Sequence, residues 1–132
     1  MGARTIADKL LITSASSIWL SDEARLALVG PLPDGATVMD RLDQATTALV
    51  FAESEAGLRT VLERERDRLT IPAALWIAYP KANRADINRD SLWPILTEFG
   101  LRPISQVAID EVWSALRFRA LREGEPPFSG GR

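Results

Sequence analysis

Ala-Ala-Leu-Trp-Ile-Ala-Tyr-Pro-Lys, residues 73–81, is the stretch that decides the fold. Every residue from 73 to 79 is apolar or aromatic, with Ile71-Pro72 before the run and Pro80-Lys81 closing it. A strand with one wet face alternates apolar and polar side chains. This run does not alternate, so it reads as a strand covered on both faces, the habit of parallel sheets sandwiched between helices. Residues 46–52, Thr-Thr-Ala-Leu-Val-Phe-Ala, form a second nearly continuous apolar run. Between the two, Ser54 is placed to cap a helix over residues 55–69. Leu58, Val61, Leu62 and Leu69 keep helical spacing there, and Arg59, Glu63, Arg64, Arg66 and Asp67 occupy the polar side. The two greasy runs are therefore expected to lie side by side in the same direction, joined by a crossover helix.

Upstream, residues 1–8 read as loose and 7–11 as a helical turn. Residues 16–20 read as a first strand ending at Ser21-Asp22, either of which caps a helix over 23–29. The Gly30-Pro31-Leu32-Pro33-Asp34-Gly35 cluster stops that helix, and residues 36–39 make a short strand closing at Asp40. Downstream of Lys81 comes a polar connection. A helix then runs to Phe99, with Leu92, Ile95, Leu96 and Phe99 on one face and Gly100 at the C′ position. Pro94 is tolerated within a first turn, so this helix is expected to start at Asp90 or later. Residues 104–109 and 113–121 read as the last two strands. The link between them, Asp110-Glu111, is too short for a crossover, so the pair is antiparallel. In the final strand Leu116, Phe118 and Ala120 face one way and Arg117 and Arg119 the other, which suggests a sheet edge with an open outer face.

Four strands alternating with helices, closed by a hairpin, define a small Rossmann-like α/β sandwich of three layers. It has about six strands, mostly parallel, and right-handed crossovers favour the order 2-1-3-4-6-5. We expect one domain over residues 1–122 and a flexible tail over 123–132.

The chain has 132 residues, 46% hydrophobic and 26% charged, ordinary values for a soluble globular domain. It contains no cysteine and no histidine. Disulfides, thiolate chemistry and Cys-ligated metal are thereby excluded, as are Ser-His-Asp and Cys-His mechanisms. A net charge of −2, from 16 basic and 18 acidic residues, supplies no general attraction to nucleic acid or to an anionic membrane. No window has the ~18 apolar residues of a membrane span. The first six residues lack the apolar core of a signal peptide and, with Ile6 where Ser or Thr is needed, the myristoylation pattern. A cytoplasmic location is expected.

Four segments taken together resemble a bacterial family. They are Leu-Trp-Ile-Ala-Tyr-Pro-Lys (75–81), Asp-Ile-Asn-Arg-Asp (86–90), Gly-Leu-Arg-Pro (100–103) and Ile-Asp-Glu-Val-Trp-Ser-Ala-Leu-Arg-Phe (109–118). With Ala-Asp-Lys-Leu (7–10) and the strand at 17–20, they make the chain similar to the domain of unknown function 3052 group of small bacterial proteins. The resemblance implies a compact α/β domain like the second half of a class I methyltransferase. That family has no established catalytic residues to carry over.

Open α/β sheets bind ligands at the carboxyl ends of their strands, near the point where strand order reverses. Asp22, Asp40, Glu53, Tyr79 and Lys81 stand at those ends, and Asp22 and Glu53 should flank the switch point. Asp40, ending the second strand, is where an acid would hold a ribose; a solvated acid starting a turn is the plainer reading. The loop after the first strand, residues 21–29, contains no glycine and puts Asp22 and Glu23 at a helix start, where they repel phosphate. Lys81 reads as a turn lysine before it reads as a nucleophile, and Tyr79, the single tyrosine, carries no other catalytic mark. Asp86, Asn88 and Asp90 alternate as in a calcium loop but lack its glycine and distal glutamate. Arg102, Arg117, Arg119 and Arg122 suggest an anion patch diluted by Asp110, Glu111 and Glu123.

The expected function is that of a non-catalytic α/β module that binds a protein partner or a second copy of itself. Trp113, Leu116 and Phe118 on the hairpin are the candidate interface for a homodimer. The alternative is a degenerate methyltransferase-like domain binding a nucleotide or an S-adenosylmethionine-like ligand among Asp22, Asp40, Glu53, Tyr79 and Lys81. No catalytic residue, metal set or cofactor is assigned.

Overall fold

The computed structural model describes residues 5–81, 87 and 89–126, with Arg89 described in its backbone alone. Six strands make one sheet: β1 (Ser17–Leu20), β2 (Thr37–Val38), β3 (Thr47–Phe51), β4 (Ala74–Pro80), β5 (Leu101–Ala108) and β6 (Trp113–Ala120). Their order is β2-β1-β3-β4-β6-β5, as the crossovers required. β1 pairs in parallel with β2 and β3, and β3 with β4; β6 is antiparallel to both β4 and β5. The two greasy runs lie in register, Leu49 opposite Trp76 and Val50 opposite Ile77.

The strands formed by these runs, Thr47–Phe51 and Ala74–Pro80, are buried at every position because the sheet is covered twice. Ala48, Val50, Leu75, Ile77 and Tyr79 point to one core, closed by Leu58 and Leu62 of α3 (Glu55–Arg64) and by Leu92, Ile95 and Leu96 of α4 (Arg89–Thr97). Leu49, Phe51, Ala74, Trp76 and Ala78 point to the other. There they meet Ala7 of α1 (Ile6–Lys9), Leu10, and Val29 of α2 (Leu26–Val29). The absence of alternation in the sequence is this double covering.

Local chemistry fixes the helix ends. Ser54 Oγ accepts from Gly57 N at 3.0 Å and caps α3, which is shorter than the periodicity implies: it ends at Arg64, and a 3-10 turn over Arg66–Arg68 carries Leu69 into the core. Asp22 accepts from Ala24 N at 3.1 Å and starts a 3-10 turn, Glu23–Arg25, that leads into α2. Gly100, at φ +78°, ends the turn after α4. α1 closes with Ile12 N donating to Ala7 O at 2.9 Å, which puts Leu11 in the left-handed region at φ +66°. A leucine there costs roughly 1–2 kcal/mol, against about 1 kcal/mol of entropy for glycine. Leu11 is exposed. Leu11→Gly is therefore expected to raise stability by about 0.5–1 kcal/mol, read as a higher urea midpoint at unchanged slope.

Three expectations are corrected. α4 begins at Arg89, so Pro94 sits in the second turn, where it has no N–H to give the Asp90 carbonyl. β5 begins at Leu101 and takes in Pro103, tolerated because β5, not β6, is the edge; a bulge follows between Pro103 and Ser105. β6 lies between β4 and β5, with Trp113, Leu116 and Phe118 only 6%, 4% and 2% exposed. These three fill the chain's own cores, so they present no open face to a second copy. Asp86 and Asn88 of the alternating acidic stretch lie outside the described residues.

The start of the expected tail is tied down. Residues 122–125 turn back, and the Glu125 carboxylate accepts from Arg119 at 2.8 and 2.9 Å, from Arg102 at 2.6 Å and from Arg122 N at 2.9 Å. Arg119 first, then the Arg122 N–H and Arg102, hold this carboxyl far below the usual carboxylate range. A depressed folded pKa stabilises above the unfolded value, here 4.5, and the contribution is lost on further acidification. Glu125→Gln is expected to flatten the acid side of the stability–pH curve below that value, and amide exchange at Arg122 is expected to quicken.

Candidate functional site

The strand ends meet where order reverses, between β1 and β3. The backbone of Ser21 donates to Leu49 O at 3.0 Å, and its Oγ accepts from Phe51 N at 2.8 Å, so the loop leaving β1 is sewn to β3. Arg25 then returns over this seam. Its Nη2 donates to Glu53, its Nε lies 3.6 Å from Asp22 Oδ2, and its guanidinium carbon stands 4.7 Å from the centre of the Trp113 ring. Trp113 meets Phe51 edge to face, centroids 5.7 Å apart at 88°. One cation is thus held by two carboxylates and an aromatic face.

This arrangement occupies the switch point. A ligand's phosphate or carboxylate would need free N–H groups there. It would find instead Asp22 and Glu53, two carboxylates with one cation, Arg25, between them and a net negative charge left over. The sequence places both acids correctly. The residue that joins them it does not single out, because Arg25, Glu53 and Trp113 are distant in the chain. The available signal was the Asp22–Arg25 spacing of three, which sets a cation one helical turn behind the acid.

The remaining candidates part company. Tyr79 is buried in the core below α3 and α4, where its hydroxyl accepts from Gln106 Nε2 at 2.8 Å. Lys81 serves the β5–β6 turn: its N–H donates to Val112 O at 2.7 Å and its ammonium to Asp110 O at 2.6 Å. Asp110 tightens the same turn by accepting from the N–H groups of Val112 and Trp113 at 2.8 and 2.7 Å. These are structural tasks, and they bring neither Tyr79 nor Lys81 to Asp22 and Glu53.

Asp40 lines a cleft of about 650 Å³ together with Ser21 and Glu23 from the strand ends. Trp19, Leu20 and Leu42 lie beneath, and Arg41, Arg64, Glu65 and Arg68 complete the wall. The cleft exists because β2 returns to β3 through only a 3-10 turn, Leu42–Gln44, where a full helix would cover β1. Glu65, 13% exposed at its side chain, accepts from Arg64 Nε on one oxygen and from Arg68 Nε on the other, each at 3.1 Å. Arg68 also donates to Arg64 O at 3.0 Å, closing the end of α3. Arg41 is held by Asp43 at 2.7 Å. The carboxylates of Asp40 and Glu23 make no hydrogen bond or ion pair among the described residues. No group of three or more carboxylates able to hold a metal occurs among the described residues. Nor, among them, is any helix long and apolar enough to cross a membrane.

Three solved structures share the architecture. A protein of the NADB-Rossmann superfamily from Streptococcus agalactiae superposes with a TM-score of 0.60 at 10% identity, over 98% of this chain and 72% of that one. The B. subtilis M1A22 tRNA methyltransferase TrmK gives 0.57 at 15% identity, over 87% of this chain and 63% of its own. An uncharacterized protein from Listeria monocytogenes serotype 4b gives 0.57 at 14% identity, over 97% and 71%. No family model matches the chain, and neither does any curated protein. At these identities the likeness establishes the fold, α/β and Rossmann-like with methyltransferase-like neighbours, and the chain spans less than two thirds of the tRNA methyltransferase.

Proposed function

We propose that this chain is a non-catalytic binding module built on a methyltransferase-like fold. The carrying observation is Arg25. At the crevice where open α/β sheets take their ligands, this chain has placed a guanidinium bridging Asp22 and Glu53 against Trp113. The loop before it has no glycine to let backbone approach a phosphate. Binding then falls to surfaces beside the crevice, of which the cleft at Asp40 is the best formed. If the partner is a protein or a second copy, it engages a surface other than Trp113, Leu116 and Phe118, which are buried. Kinship with the domain of unknown function 3052 group and a cytoplasmic setting belong to the same proposal.

One observation favours a second reading, in which the domain still binds a nucleotide or S-adenosylmethionine: Asp40 is unpaired in a cleft of small-molecule size. A thermal-shift panel separates the two. A ligand at 100 times its dissociation constant stabilises by about 2.7 kcal/mol, a rise of several degrees for a domain of this size. We expect no rise with S-adenosylmethionine, its demethylated product or nucleotides. A saturable rise with any of them supports the second reading instead.

A further inference from the structure

The cleft beside the closed crevice carries a charge pattern that selects its ligand. Two carboxylates, Glu23 and Asp40, stand at its strand-end rim with no partner among the described residues. An anion alone is repelled there. From the far end of α3, Glu65 engages Arg64 and Arg68 through their Nε atoms. That leaves both Nη groups of Arg64, and Nη1 of Arg68, without an acceptor among the described residues and able to donate to a carboxylate or phosphate, the task guanidinium forks do best. A cation alone gains nothing at that end. Separated charges of opposite sign therefore face one space of about 650 Å³, within the range of small-ligand pockets. Trp19, Leu20 and Leu42 add apolar surface to the same lining.

We propose that this cleft binds a small dipolar molecule: an anionic carboxylate or phosphate on Arg64 and Arg68, and an ammonium on Asp40 and Glu23. This rests on the reading of the chain as a binding module and adds the class of ligand. Glu65 is a positioning residue. By occupying one donor of each arginine it limits the directions the remaining donors can take, which lowers the ordering penalty on binding. The surrounding ion pairs leave the lining with three acids and three arginines, so a molecule carrying separated poles of both signs is matched where one of a single sign is not.

The test is calorimetric titration of the full chain with γ-aminobutyrate, lysine and O-phosphoethanolamine, alongside butyrate, putrescine and inorganic phosphate as compounds of one sign. At least one dipolar compound is expected to bind about tenfold or more tightly than its single-sign counterparts, the scale of one hydrogen bond to a charged group. Asp40→Asn and the double variant Arg64→Gln with Arg68→Gln should each remove about that factor. These side chains are on the cleft wall and exposed or half-buried, so circular dichroism and the urea midpoint should show a folded chain; Glu23→Gln is the substitute where either variant fails to fold. Equal binding by a single-sign compound, no binding by any dipolar one, or dipolar binding indifferent to the substitutions overturns the proposal. S-adenosylmethionine in the same titration keeps the two claims apart. If it binds while the dipolar series fails, the S-adenosylmethionine-binding reading is supported and the ligand class is wrong; if neither binds, the binding-module reading stands and only the ligand class is wrong.

Discussion

A chain carrying Val50→Asp is expected to be unfolded at neutral pH and to regain structure as the pH falls. Val50 is 0% exposed, in register with Ile77 of β4, on the face covered by α3 and α4. Among the described residues, its core neighbours are apolar and offer a carboxylate no cation. Burial of that kind raises an acid's pKa by about 3–5 units, which at 1.36 kcal/mol per unit is about 4–7 kcal/mol against the ionised form. The whole stability of a domain is about 5–15 kcal/mol. The sign follows from the direction of the shift. An acid whose folded pKa is raised destabilises above its unfolded pKa and is relieved below it. The unsubstituted chain behaves oppositely, because Arg59 holds Glu98 low and Arg119 holds Glu125 low, so its own ion pairs are lost in acid. Circular dichroism from neutral to mildly acid pH should show the variant gaining structure while the parent is unchanged, the parent weakening only below 4.5. A variant folded at neutral pH would mean that one face of β3 is wet.

Trp76→Ala is the second large loss, about 3–5 kcal/mol. Trp76 is 1% exposed, and its indole N–H donates to Leu10 O at 3.0 Å across 66 residues of sequence. Truncation leaves a cavity under α1 and strands the Leu10 carbonyl in an apolar layer. Trp76→Phe separates the two effects: it keeps most of the volume and loses the hydrogen bond, which costs about 1–3 kcal/mol when a buried acceptor is orphaned. Urea unfolding of both variants should give the larger drop for alanine, with α1 exchanging its amides faster in each. Equal midpoints for the two would show that packing contributes nothing there.

Much of this architecture is legible in the residues because burial on both faces leaves a direct mark. Residues 46–52 and 73–79 could not be amphipathic, and the single helical period between them left few topologies. The short Asp110-Glu111 link forced an antiparallel hairpin, and from those constraints the strand order followed. Interactions between charged side chains far apart in sequence were not legible. Arg25 reads as an ordinary surface cation until the fold brings Glu53 and Trp113 to it. Glu125 sits in a stretch rich in Gly and Pro, and only the register of β5 and β6 puts Arg102 and Arg119 where they hold it. The face of β6 was misjudged for a related reason. Arg117 and Arg119 suggested solvent, yet Arg117 reaches Ala73 O at 3.2 Å and Arg119 holds Glu125, while the apolar positions between them fill the core. Long cationic side chains satisfy themselves at a sheet's margin without the strand being an edge.

The closed crevice is tested most directly by side-chain NMR of the labelled full chain during titration with S-adenosylmethionine, following the Arg25 Nε–H and the Trp113 indole N–H. The account predicts that neither signal moves at millimolar ligand, while Glu53→Gln alone shifts the Arg25 resonance by removing its partner. Saturable movement of both signals with added S-adenosylmethionine would contradict it, by showing that the guanidinium yields its place at the switch point to a ligand.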